Sequence, residues 1–204
     1  MSSNEITKAS AMKRLGLLAL VLLIVGVLAF EGISRYRKYL YPYGQRGGGV
    51  SLPGLFGTFL VYAGDHGGWF PRSDKGPYDA LRQLEPYCVN GVELAGVTGN
   101  ADAVSNALRS GKSLDASLTS WVYVPGFRRD DPEDLAMVWE SKPGVYWNGK
   151  RNNFGGRAVL LVGGNITNVP AADWTGFLKQ QEELRRAVQS GRTAPTNTPP
   201  QTAH

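Results

Sequence analysis

The residues best suited to chemistry are the adjacent Asp65 and His66, followed at once by Gly67, Gly68, Trp69 and Phe70. An imidazole beside a carboxylate can move protons or hold a metal ion, but either task needs a further group, a nucleophile or more ligands. His204 is the other histidine, so a histidine-rich metal centre is not expected. Ser117, Thr119 and Ser120 are available hydroxyls, yet nothing in their spacing ties them to His66. Cys88 is the single cysteine. It permits no intrachain disulfide, and its Pro-Tyr-Cys-Val context carries no nucleophile signature, so a small buried hydrophobe is expected. The simplest role for Asp65 and His66 is a helix-ending turn in which the imidazole caps the last carbonyls. That makes Asp65, His66, Trp69 and Phe70 candidates for contact with a partner, with no catalytic, cofactor-binding or metal residue assigned.

Three other constellations fall short of a chemical signal. Asp130, Asp131, Glu133 and Asp134 could attract calcium, but EF-hand spacing is absent, and Arg128, Arg129 and Pro132 point to a solvated loop. The glycine pairs and runs at 47–49, 67–68, 155–156 and 163–164 match no phosphate-cradling pattern and are expected in turns. Trp69, Trp121, Tyr123, Trp139, Tyr146, Trp147 and Trp174 could form a platform for glycan or protein, although in a small domain most should be core.

The elements that must position these residues follow from periodicity. Ser51 is a plausible N-cap for a helix in which Leu52, Leu55, Phe56, Phe59 and Leu60 form one apolar stripe, closed by Asp65 to Gly68. A short helix is expected over 78–84, halted before Pro86, and another over 101–109 between Asn100 and Gly111. From Ser120 the pattern turns to strands: 120–124, 135–139, a short 145–147, and 157–162 joined through Gly163-Gly164 to 165–169 as a hairpin. A helix over 172–188 follows, with Trp174, Phe177, Leu178, Leu184 and Val188 facing inward, and the Thr/Pro-rich 190–204 is expected to be disordered. The fold class is therefore α+β: an N-terminal transmembrane helix, short helices, a small antiparallel β-meander and a C-terminal helix.

Before this domain, residues 15–30 read LGLLALVLLIVGVLAF, without charge or proline. The run rises roughly 24 Å, slightly short of a ~30 Å hydrocarbon core. With flanking Lys13, Arg14, Gly32 and Ile33 it makes an anchor over 15–33, after a polar stub over 1–14 and before a juxtamembrane linker over 34–50 containing the glycine run. The exit lacks a small-x-small cleavage site, so an uncleaved anchor is expected over a signal peptide. Much of the chain's +5 formal charge lies beside it, at Lys8, Lys13, Arg14, Arg35, Arg37, Lys38 and Arg46. That placement fits lipid headgroups, and no basic stripe on the domain points to nucleic acid. Cations flank both ends, so charge does not set the orientation.

The segment Leu60-Val61-Tyr62-Ala63-Gly64-Asp65-His66-Gly67-Gly68-Trp69-Phe70-Pro71 resembles the sequence that follows the long N-terminal helix in type II secretion G-like pseudopilins and prepilin-type proteins of planctomycetes and verrucomicrobia. Residues 152–166 resemble the hairpin of that family, with Asn153 where its histidine would stand and Gly163 in place of its aspartate; Trp174, Phe177 and Leu178 also fit. The prepilin leader is not seen before the apolar run, so the resemblance is to a degenerate member. It implies a pseudopilin-like domain over 51–189, anchored in the bacterial inner membrane through 15–33, with the domain extracytoplasmic. Its implied work is non-enzymatic, through protein contacts in a secretion or pilus-like assembly, and Asn153 joins the contact candidates. A surface glycan- or ligand-binding module and a membrane-bound hydrolase around His66 are the alternatives.

Overall fold

A computed structural model describes residues 3–42, 51–88 and 91–193. The chain divides into two compact units, Met1–Pro42 and Tyr43–His204.

The first unit is one helix, α1, Ser3–Leu40. It takes in most of the expected polar stub and the first part of the expected linker. No proline interrupts this sequence until Pro42, which disfavours helical backbone at the preceding Tyr41. Within α1, Gly16–Leu40 is 25 residues long and apolar enough to cross a membrane, with none of its window buried. At 1.5 Å per residue it rises about 37 Å, although Glu31, Arg35, Arg37 and Lys38 lie in its last ten residues, so the uncharged run itself is no longer than before. Glu31, the first charge after that run, pairs with Arg35 one turn later at 2.8 Å.

The second unit is α+β. Helix α2 covers Leu52–Asp65, and the Ser51 hydroxyl accepts from Gly54 N at 3.4 Å, with Pro53 in the first turn. Its inward face is Leu52, Leu55, Thr58, Phe59, Tyr62 and Ala63; Leu60, expected on that stripe, is half-buried. Ser51→Ala is expected to lower stability by about 1 kcal/mol, roughly 3 °C in the Tm of the reconstituted chain. An unchanged melting curve would show that the cap contributes nothing.

Helix α3, Pro77–Arg82, is followed by 3-10 turns at Glu85–Tyr87 and Val92–Ala95. Helix α4, Ala101–Arg109, has the expected cap, Asn100 Oδ1 accepting from Ala103 N at 3.0 Å. Four antiparallel strands then form a meander in the order β1 (Trp121–Tyr123), β2 (Ala136–Glu140), β3 (Arg157–Leu161), β4 (Ile166–Val169). The expected strand at 145–147 is absent. Positive φ at Gly144 and Gly149 folds that stretch into a tight loop holding only isolated bridges from Val145. The β3–β4 hairpin forms as expected, with Gly164 at φ 87°.

The sheet is covered on both faces. Trp121, Tyr123, Ala158 and Leu160 enter a large core with α2, α3 and α4, while Trp139, Val159 and Val169 form a smaller one. An irregularity in the β2–β3 register between Ala136 and Val138 sends both Met137 and Val138 into the large core and keeps Ala136 in the small one. Helix α5, Trp174–Thr193, lays Trp174, Phe177 and Leu178 on the small core and reaches the large one with Leu184 and Val188. It thus carries helix into the expected tail. The remainder of that tail and the glycine run at 47–49 lie outside the described residues.

Candidate functional site

The last turn of α2 builds the site. Gly68 N donates to Ala63 O at 2.8 Å, and the left-handed conformations of Gly67 and Gly68 reverse the chain there. The His66 ring folds back on its own helix, with Nδ1 2.8 Å from Tyr62 O. A carbonyl only accepts, so this nitrogen carries the proton and Nε2 remains an acceptor in the neutral ring. The expected capping role of His66 is therefore met.

Four residues apart on the helix, His66 and Tyr62 also stack, with centroids 3.8 Å apart and planes within 2°. Tyr62 is buried and its hydroxyl donates to Gln83 Oε1 at 2.5 Å; Gln83 Nε2 donates to Arg72 O at 2.8 Å. Tyr87 meets both rings edge-on, at 5.6 Å from Tyr62 and 6.4 Å from His66, and donates its hydroxyl to Asp65 Oδ2 at 3.1 Å. Burial pushes the Tyr62 phenol above its ordinary range, opposed by the nearby Arg72 charge. Tyr87 is raised too, by loss of water first and then by the hydrogen bond to Asp65 and its charge. Both phenols are donors at neutral pH. Beside the rings opens a cleft of about 550 Å³, lined by Tyr62, His66, Asp79, Arg82, Glu85 and Tyr87 among others.

Past the reversal, Trp69 pairs with Arg128 in an isolated antiparallel bridge, with Phe70 N donating to Phe127 O at 3.0 Å and Arg129 N to Gly68 O at 2.8 Å. The half-buried indole lies under two guanidinium groups, Arg72 at 4.1 Å and Arg128 at 5.0 Å from the ring centre. Each such contact stabilises by about 0.5–1 kcal/mol at an exposed position. Arg128 also donates through Nε to Asp130 Oδ1 at 2.8 Å.

Asp65 and His66 thus share one network through Tyr62 and Tyr87, and Trp69 adjoins it through its backbone, Trp69 N donating to His66 O at 3.2 Å. Phe70 is not part of it: its side chain is fully buried, edge-on to Phe59 at 5.8 Å. The alternation of an extended segment turns it inward when Trp69 faces outward, so it is corrected from contact candidate to core. Asn153 is exposed in the turn before β3, and among the described residues no hydrogen bond or ring contact joins it to the Asp65–His66 group. Tyr62, Arg72, Gln83 and Tyr87 were not anticipated. Helical spacing from His66 could have flagged Tyr62; the other three arrive through tertiary packing.

The remaining constellations resolve plainly. Asp131 Oδ2 accepts from Arg128 N at 2.6 Å, so that carboxylate serves its own loop. Among the described residues no three His, Cys, Asp or Glu side chains are grouped to hold a metal ion. Trp121, Tyr123 and Trp139 are buried, which removes them from any platform; Trp147 and Phe154 are exposed. Burial, and then the Glu93 charge, push the Cys88 thiol up to about 12. It stays protonated and unreactive at neutral pH.

No protein family, characterised protein or solved structure gives a significant match to this chain.

Proposed function

We propose that this is a non-enzymatic, single-pass protein of the bacterial inner membrane, pseudopilin-like in kind, whose extracytoplasmic domain acts through protein contacts in a secretion or pilus-like assembly. The observation that carries the membrane placement is α1. From Leu17 to Ile33 its large apolar side chains are exposed, and the second unit has a complete core of its own. A bilayer is the environment that accounts for such a helix. The contact role is supported by the surface around His66 and Trp69, because Trp, Tyr and Arg are the residues that dominate binding energy at protein interfaces. The pseudopilin character rests on the resemblance at residues 60–71 and 152–166.

Topology is the decisive test. With Cys88→Ser and Ala203→Cys together, intact inner-membrane-bounded cells (outer membrane permeabilised where present) are exposed to a membrane-impermeant maleimide. Labelling of a full-length, membrane-retained chain is the expected result. Protection until the inner membrane is lysed would place the domain in the cytoplasm and end the envelope proposal. Copurification with no secretion or pilus component would count against the assembly role alone.

A further inference from the structure

Resting on that contact role, we infer that the cleft beside Tyr62, His66 and Tyr87 receives a basic side chain, lysine or arginine, from a partner protein. The walls are rings: His66 covers one face of Tyr62 and is itself exposed, and Tyr87 stands at 70° to it, so the two outer rings form an open corner. Of the two outer rings, it is the phenol ring of Tyr87 whose face attracts cations through its quadrupole. The rim supplies the opposite charge. Asp79 and Glu85 line the cleft, and Asp65 is joined to it through the Tyr87 hydroxyl.

The one cation in the lining, Arg82, is already engaged. Its Nη1 donates to Gly111 O at 3.1 Å and its Nε lies 3.8 Å from Glu85. Two carboxylates in the lining, with Asp65 held behind the Tyr87 hydroxyl, thus stand against Arg82 and the Arg72 charge that reaches Tyr62, which leaves the corner one formal negative charge in excess. An anionic group would meet like charge, and a neutral sugar, although its hydroxyls could donate to the carboxylates, would leave the excess negative charge uncompensated. An ammonium or guanidinium group on a flexible stem uses both the rings and the rim.

The test uses the full chain in nanodiscs of neutral phosphatidylcholine, with a fluorescein-labelled, capped tetralysine peptide as probe and capped tetraglutamate as its counterpart, read by anisotropy. Saturable tetralysine binding is expected, without tetraglutamate binding. Asp79→Asn with Glu85→Gln should weaken it at least tenfold, and Tyr87→Ala should do the same. Tyr87→Phe, which keeps the ring, should change it less than threefold, and Glu183→Gln on the exposed face of α5 should leave it unchanged. The carboxylate variants alter no core contact and keep the test valid should Tyr87→Ala fail to fold. Absence of saturable binding, or equal weakening by Glu183→Gln, would overturn the inference. The underlying contact role is tested separately by placing a photo-crosslinking residue at position 66 in cells. Adducts that persist in the carboxylate variants would leave that role standing and remove the basic-side-chain specificity.

Discussion

Glu140→Ala is expected to destabilise the folded domain by about 3 kcal/mol, because it strands one buried and one part-buried donor and opens a cavity. Glu140 ends β2 with 2% of its surface exposed. Its Oε2 accepts from Val97 N at 2.9 Å and its Oε1 from the Thr98 hydroxyl at 2.7 Å. The loop it grips has no room to rearrange. A Cβ on Gly99 would sit 1.8 Å from Ala95 O, and one on Gly96, at φ 79°, would sit 2.2 Å from Ser120 Oγ.

Burial raises the Glu140 carboxyl above its ordinary range, and the hydrogen bonds from Ser120, Thr98 and Val97 only partly oppose this. A carboxyl with a raised folded-state pKa holds its proton more tightly in the folded chain. Its favourable contribution is therefore full below the ordinary glutamate range and fades as pH rises through the raised value. Glu140→Gln removes that titration. Its amide oxygen can still accept from Val97 N, and its Nε2 can donate to the Thr98 oxygen. Thermal melts of the reconstituted chain across the weakly acidic range should show the Gln variant gaining on the native chain as pH rises, with the Ala variant least stable throughout. A native-to-Gln difference that does not vary with pH would refute this assignment.

The second large effect is at Gln181. This side chain is 4% exposed on the fifth helix, with Oε1 accepting from Ala136 N at 2.7 Å and Nε2 donating to Asp134 O at 3.0 Å. It thus supplies, from a helix, the pairing that a neighbouring strand would give to the entry of β2. Gln181→Leu keeps the bulk but leaves one buried N–H and one carbonyl without it, at a cost of about 2 kcal/mol. Urea melts should show the lower midpoint. Hydrogen exchange should show the Ala136 amide losing protection; an Ala136 amide as slow as in the native chain would contradict the pairing.

These two residues show where local pattern stops being informative. Caps and breakers act within a few residues, which is why Ser51, Asn100, the His66 turn and the Gly163-Gly164 hairpin could be read directly from the chain. Glu140 and Gln181 are polar residues inside patterns that assign polar residues to solvent. Their partners lie 42 to 47 positions away, so no local period reveals them. The Gly96–Gly99 spacing ahead of a glutamate-ended apolar strand was the available hint for the first. For the candidate site, the neighbourhood of Asp65 and His66 was legible from a helix end meeting two glycines. The cleft was not, since Tyr87 and Asp79 come from segments beyond the turn. Phe70 failed as a contact residue because adjacency to the outward-facing, half-buried Trp69 in an extended segment means the opposite side.

The two outer strands of the sheet, β1 and β4, are three and four residues long, and Pro170 follows the last of them directly. Short margins of this kind, one of them closed by a residue without an N–H, offer little backbone for a second copy to extend. Proteins confined to a membrane surface meet one another at far higher local density than free ones, and sheet-to-sheet propagation is the hazard that density creates. If the proposed anchor gathers copies of the domain on a membrane, margins trimmed in this way leave sheet-to-sheet propagation few places to start.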